Sequence, residues 1–317
     1  MLRKFAYNKI FRTTGMLLLL LLLLVFPASK EYSLEDEKTV KTSNTIKQKE
    51  VFLIDKDGYV ARTLMKINAK TNEEYAKKLI ELLIIGGKYE NELPNGFKAI
   101  IPSDTKINDV KIYNDNILID LSSDFLELNS NNFQRAIEAL TYNITTIDGI
   151  KYLYINIDGN KLLKSPNGSY LTQPFSRKDG INNSYDVTNY KNVSKTTIYY
   201  VNKNNKGYYY VPVTKVNNDD RDKIKIIIDA LTSSHIYETN LMSFLNYNTK
   251  LLNYELKEDV LTLDFNNFLF DDEAGKNILE EVIYSISLSI RDNYDVNEVV
   301  FTVDGKEITK SVIKNIE

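Results

Sequence analysis

A chain of 317 residues, 43% hydrophobic and 26% charged, has the composition of a folded protein of about two domains and excludes a disordered tail or a collagen. It has no cysteine, which rules out disulfides, thiolate nucleophiles, iron–sulfur clusters and cysteine-ligated zinc, and its single histidine rules out any multi-histidine site. The first 30 residues hold five Lys/Arg and no acid, so the rest, with 35 bases against 43 acids, carries a net charge of −8, the wrong sign for a nucleic-acid surface.

Residues 1–29 join a basic head (Arg3, Lys4, Lys9, Arg12) to an unbroken run, Leu17 to Leu24, and end in Pro27, Ala28 and Ser29. That pattern is an export signal or an N-terminal membrane anchor. The apolar run is shorter than the roughly 20 residues a spanning helix needs. The positive head stays on the cytoplasmic side, so the remainder is expected on the extracytoplasmic side. With no cysteine, a lipid anchor is excluded. Residues 30–48 read as a polar, flexible spacer.

Three segments then recur in order. Val51 to Ile67 parallels Ile198 to Val216, Ile117 to Phe125 parallels Val260 to Phe268, and Tyr154 to Leu162 parallels Phe301 to Ile308. The offsets of 149 (Lys66, Lys215), 144 (Asp120, Asp264) and 146 (Asp158, Asp304) are nearly constant. A period this long describes a duplicated domain, not a solenoid. The expected boundaries are 49–164 for the first copy, 165–195 for a linker rich in turn residues, 196–310 for the second copy and 311–317 for a tail. The linker carries enough apolar surface (Tyr170, Leu171, Phe175, Ile181, Tyr185) to pack on a domain.

Within the first copy, β-rich stretches flank Lys56-Asp57-Gly58 as a hairpin. Thr71 with Glu74 has the form of a capping box for a helix through Leu83. A second hairpin turns at Asn114-Asp115. A helix over 132–147 shows Phe133, Ile137, Leu140, Ile144 and Ile147 on one stripe. A strand over 150–157 ends at Asp158-Gly159. The second copy repeats this with strands over 199–201 and 208–216, a helix over 219–231, a hairpin over 253–265, a helix over 278–290 and a strand over 298–303. The order β-β-α-β-β-α-β predicts an α+β fold, two tandem copies of a small module, each a mixed sheet covered on one face by two helices.

These residues resemble the GerMN module, found in tandem in GerM-type sporulation and spore germination proteins of endospore-forming bacteria. The resemblance is carried by Val211 to Lys215 after a tyrosine-rich strand, by the Leu93/Pro94/Gly96 loop, by the strand exit at Asp120, by the Asp-Gly ends at Asp158 and Asp304, and by the connector Leu171 to Asn182. It spans about residues 49–310. It implies a non-enzymatic part in spore formation or germination, with a fold similar to the ring-building domains of the sporulation membrane channel. Partners implied are other copies of the chain or proteins of that membrane complex. GerM-type proteins taken as reference are lipoproteins, and this chain lacks the cysteine for that attachment.

No residue pattern marks a catalytic, cofactor or metal site. The paired positions Asp120/Asp264 and Asp158/Asp304 fall at strand ends, where an aspartate such as Asp158 or Asp304 before glycine serves a turn; a hydrolase pair would need two carboxylates facing one cleft, whereas the duplication puts equivalent residues in separate domains. His235 follows Ser233 and Ser234 without a nucleophile-elbow motif, and reads as a loop residue. Gly86-Gly87 follows a helix instead of opening one, so it reads as a helix end. Tyr199, Tyr200, Tyr208, Tyr209 and Tyr210 are candidates for an interface or for stacking on glycan. Alternation along a strand would expose some of them. The leading expectation is a non-catalytic scaffold; the alternative is a peptidoglycan-binding module, with a wall hydrolase behind it.

Overall fold

The computed structural model describes residues 30–33, 48–233, 239–271 and 277–313. The predicted signal or anchor, residues 1–29, and His235 lie outside the described residues.

The first module opens with a hairpin of β2 (Gln48–Asp55) and β3 (Val60–Lys66). Gly58, at φ 87°, supplies the left-handed residue of the tight turn between them. Helix α1 (Asn72–Glu81) starts where the Thr71 hydroxyl accepts from the Glu74 N–H at 3.1 Å. Its partner in the predicted box differs: the Glu74 carboxylate reaches the Lys70 N–H at 2.8 Å instead. The helix is over before Gly86, which adopts φ 68°. A short β4 (Phe97–Lys98) adds to β2. Then β5 (Ile107–Tyr113), β6 (Asn116–Leu121), helix α2 (Ser130–Ile144), β7 (Tyr152–Ile157) and β8 (Asn160–Lys161) follow. β6 pairs antiparallel with β5 and parallel with β7, and β7 antiparallel with β8. The predicted stripe of α2 faces inward: Phe133, Leu140 and Ile144 are buried.

The second module repeats the plan. β10 (Ser194–Asn204) and β11 (Gly207–Asn217) form its opening hairpin, followed by helix α3 (Lys223–Thr232), β12 (Leu251–Lys257), β13 (Val260–Phe265), helix α4 (Glu280–Asn293), β14 (Glu298–Val303) and β15 (Lys306–Val312). Again β13 pairs antiparallel with β12 and parallel with β14, and β14 antiparallel with β15. A strand β1 (Lys30–Ser33) lies parallel beside β15. Each module is thus α+β with a mixed sheet, as its order predicts.

The hairpins add a feature that element order alone does not carry. They leave their own mixed sheets and join each other, giving one central sheet in the order β10-β11-β3-β2-β4. The join is antiparallel, Tyr210 opposite Arg62. The second helix of each module seals this sheet along β10 and along the part of β2 that β4 does not cover. On α2, the Asn143 side chain accepts from the Phe52 N–H at 2.9 Å and donates to the Phe52 carbonyl at 2.7 Å. On α4, Asn293 donates to the Thr197 carbonyl at 2.7 Å and Ser289 Oγ accepts from the Tyr199 N–H at 2.9 Å. Polar side chains here take the place of a further strand, satisfying edges that would otherwise recruit other chains.

The repeated Asp-Gly pairs prove to be turns. Asp158 and Gly159 have φ 47° and 79°, and Asp304 and Gly305 have φ 50° and 75°, the two-residue geometry of a tight hairpin between β7 and β8 and between β14 and β15. Asp120 accepts from the Gly159 N–H at 2.9 Å, and Asp264 from the Gly305 N–H at 2.8 Å. Gly305→Ala should therefore cost about 1–2 kcal/mol through its left-handed backbone, read as a lower urea midpoint, whereas Asp304→Asn should remain within about 0.5 kcal/mol of the parent because asparagine tolerates the same conformation.

Candidate functional site at the module junction

The connector between modules does not hang free. Phe175 and Leu153 exchange backbone hydrogen bonds at 2.8 and 2.9 Å, and the Gln173 side chain bonds both the N–H and the carbonyl of Ile155. Gly180 has φ 91°, and a Cβ there would meet the Asn183 side chain at 2.2 Å and Thr214 at 3.0 Å, so only glycine fits. Ile181 then pairs with Thr214, and β9 (Ser184–Asp186) runs parallel to the end of β11.

Between these contacts lies Asn182, buried and at φ 48°. The Tyr210–Arg62 register places Pro212 opposite Val60. Proline has no N–H, so the ladder between the two hairpins cannot continue there. The Asn182 side-chain amide fills the gap. Its Oδ1 accepts from the Val60 N–H at 3.0 Å, and its Nδ2 donates to the Val60 carbonyl at 2.8 Å and the Pro212 carbonyl at 2.6 Å. The connector thereby supplies an amide that joins the first strand pair to the second.

An ionic network lies on the same junction. Glu50 of β2 takes Arg291 of α4 in a two-pronged pair at 2.8 and 2.9 Å, and also accepts from Arg62 of β3 at 2.9 Å. Burial alone would raise the Glu50 carboxyl, but Arg291, Arg62 and Arg177 outweigh it and lower its pKa to about 2. Asp292, next to Arg291, accepts from Arg177 of the connector at 2.8 Å and from the Tyr199 hydroxyl at 2.8 Å. The Arg177 guanidinium sits 4.6 Å over the Tyr142 ring and 5.4 Å over Phe52. A second polar knot surrounds Asp55, which is fully buried and accepts from the Asp57 and Tyr59 N–H groups, the Tyr209 hydroxyl and Asn202. Its burial pushes its pKa up against those hydrogen bonds.

The five candidate tyrosines therefore serve the inside of the molecule, except one. Tyr199, Tyr200, Tyr209 and Tyr210 are buried, because β10 and β11 are covered on both faces. The expected alternation of exposed rings is absent for that reason. Tyr208 is 50% exposed and packs edge-on to Phe244 at 5.0 Å. The paired aspartates stay within their own modules, each bonded to its own turn, and form no shared cleft through those bonds. Among the described residues no group of three or more His, Asp or Glu is arranged to hold a metal ion.

Beside the junction is a cleft of about 550 Å³, bounded by Tyr59, Tyr200, Arg135, Lys215 and Asp186 among others. Burial lowers the Lys215 pKa, with Asp186 opposing that effect. Two cations, a carboxylate and two phenolic side chains lining one space can hold a polar, amide- or hydroxyl-bearing ligand.

None of the junction residues announces itself in the sequence, since Glu50, Arg177, Arg291 and Asp292 have the look of ordinary solvated charges. One signal was available: a proline inside the run Tyr208 to Val216 marks a strand whose ladder must stop.

Residues 50–163 and 197–309 both match the family described as Germane, sporulation and spore germination. Over 289 residues the chain is 34% identical to the spore germination protein GerM of Bacillus subtilis (strain 168), covering 88% of this chain and 78% of that protein. The solved structure of the tandem GerMN domains of the sporulation protein GerM from Bacillus subtilis is similar with a TM-score of 0.75 at 32% identity, covering 83% of this chain and 93% of that one. Two matched modules, a relative aligned along most of its length and a shared tandem architecture lead to one conclusion: this chain belongs to the Germane family of sporulation and spore germination proteins.

Proposed function

We propose that the protein is a non-catalytic scaffold on the extracytoplasmic side of the membrane, tethered through residues 1–29, and that it acts by contact with other copies or with membrane-complex proteins of sporulation. The observation that carries this reading is the locked junction. A shared sheet, the Asn182 amide and the Glu50–Arg291 network fix the outward surfaces of two similar modules at one spacing. A partner that touches both modules then binds without first ordering them, which preserves affinity. Two related surfaces on one rigid body also suit a head-to-tail assembly that closes into a ring.

Deleting the gene should lower the yield of heat-resistant spores or their germination, and the parent chain should restore it. A chain carrying both Asp120→Asn and Asp264→Asn should restore it equally well, because these carboxylates serve turns. Normal sporulation and germination after deletion would remove the role. Failure of the double variant, folded and exported, would favour a hydrolase.

The cleft favours a second reading, a module that holds peptidoglycan through Tyr59, Arg135 and Lys215, with the exposed Tyr208, toward the other end of β11, as a separate contact. Co-sedimentation with purified peptidoglycan, reduced at least several-fold by Lys215→Ala and Tyr208→Ala, would support it; retention in the supernatant at all concentrations would end it.

A further inference from the structure

We propose that the outer edge of β15 is the docking site for the chain's own residues 30–33, so that the second module is the one held against the membrane although the first is nearer in sequence. The inference rests on reading residues 1–29 as a membrane anchor.

The pairing of β1 with β15 runs over four positions, Lys30 opposite Thr309 through Ser33 opposite Val312. It completes the five-strand sheet β1-β15-β14-β13-β12. The matching margin of the first module is built differently. There the last strand, β8, has two residues, and the connector closes over β7 through the Phe175–Leu153 bonds and the Gln173 amide. In the second module the corresponding strand, β15, runs for seven residues, and its outer neighbour is β1. A long strand edge left bare pairs with other chains. The N-terminal segment therefore does for the second module what the connector does for the first.

The link from the docked strand to the first module has a fixed upper length. Fourteen residues separate Ser33 from Gln48, and an extended chain covers roughly 3.3–3.6 Å per residue, about 50 Å in all. Direction adds a second constraint. Because the strands are parallel, the chain preceding Lys30 departs toward the Lys306 end of β15, where Asp304 and Gly305 turn. Only Pro27, Ala28 and Ser29 lie between the apolar run, which ends at Phe26, and Lys30, so little chain separates the anchor from this edge. The 34–47 spacer lies beyond the docked strand and tethers the first module instead.

The absence of native cysteine makes the test direct. In the full-length chain in lipid vesicles, Glu31→Cys with Lys310→Cys should close a disulfide within one chain on mild oxidation, with loss of both free thiols. Glu31→Cys with Asn160→Cys should not. The single variants should match the parent in circular dichroism and melting temperature, which keeps misfolding apart from failure to dock. No cross-link, or one joining two chains, overturns the proposal. A fluorophore at Lys306→Cys should then be quenched by a nitroxide lipid at least twofold more than one at Asn160→Cys. Equal or reversed quenching overturns the placement of the second module. Quenching at neither site with the cross-link intact overturns the anchor reading and the membrane placement with it, while the docked strand stands.

Discussion

Replacing Asn182 with glycine should destabilise the protein by about 3 kcal/mol, and replacing it with alanine by about 4 kcal/mol. The two substitutions separate two causes. Glycine keeps the left-handed backbone at φ 48° and removes only the amide. Val60 then has a buried N–H and carbonyl without their partner, and Pro212 a carbonyl, each a loss of roughly 1–3 kcal/mol that does not add in full. Alanine adds the cost of a Cβ in the left-handed region, about 1–2 kcal/mol. Chemical denaturation measured by fluorescence of the buried tyrosines reads both. The parent should unfold in one transition, since its core is continuous across the modules. Loss of the amide should separate the hairpins where the ladder is already interrupted, and broaden or split that transition. A glycine variant within 1 kcal/mol of the parent, with one sharp transition, would show that Pro212 and Val60 do not need the connector.

The duplicated plan was legible because it is local. Hydrophobic stripes such as Phe133, Leu140 and Ile144 fix a helix and its buried face without reference to anything distant. Asp158-Gly159 and Asp304-Gly305 likewise declare their turns, since each pair needs left-handed backbone at both positions. The junction was not legible, because its determinants are contacts between residues far apart in sequence. Glu50 and Arg291 are 241 residues apart, and Asn182 reaches Val60 across 122. No window of sequence holds both partners. The tyrosines show the same limit from the other side: alternation predicts which face a ring takes, but not that both faces of β10 and β11 would be buried. β15 is legible only in part. Lys306 to Ile308 fall in the third recurring segment, but the charged and polar residues of Lys306 to Val312 carry little strand signal of their own, and the strand forms because β14 and β1 flank it.

Glu50→Gln should remove about 3 kcal/mol of stability at neutral pH and most of the acid sensitivity that this carboxylate confers. The sign follows from linkage. The carboxyl has an ordinary pKa near 4.5 in the unfolded chain and about 2 in the folded one, so its stabilisation is complete above about pH 5 and disappears as pH falls toward 2. A shift of that size corresponds to about 3 kcal/mol. Glutamine keeps the shape and one acceptor but removes the charge that Arg62 and Arg291 share in a largely buried site, with Asp292 still 3.4 Å from Arg291, a loss near the lower end of the roughly 3–5 kcal/mol of broken buried pairs. Asp55 acts in the opposite sense. Its folded pKa is raised, so ionising it costs stability as pH rises through that value, and it offsets part of the acid limb. The comparison therefore has to be the difference between variant and parent across pH, in which Asp55 and the surface carboxylates cancel. That difference should be about 3 kcal/mol at pH 7 and shrink toward zero near pH 2, as the parent loses what the variant never had. A constant difference across the range would mean that Glu50 contributes shape and hydrogen bonds only, and that charge does not hold the two modules together.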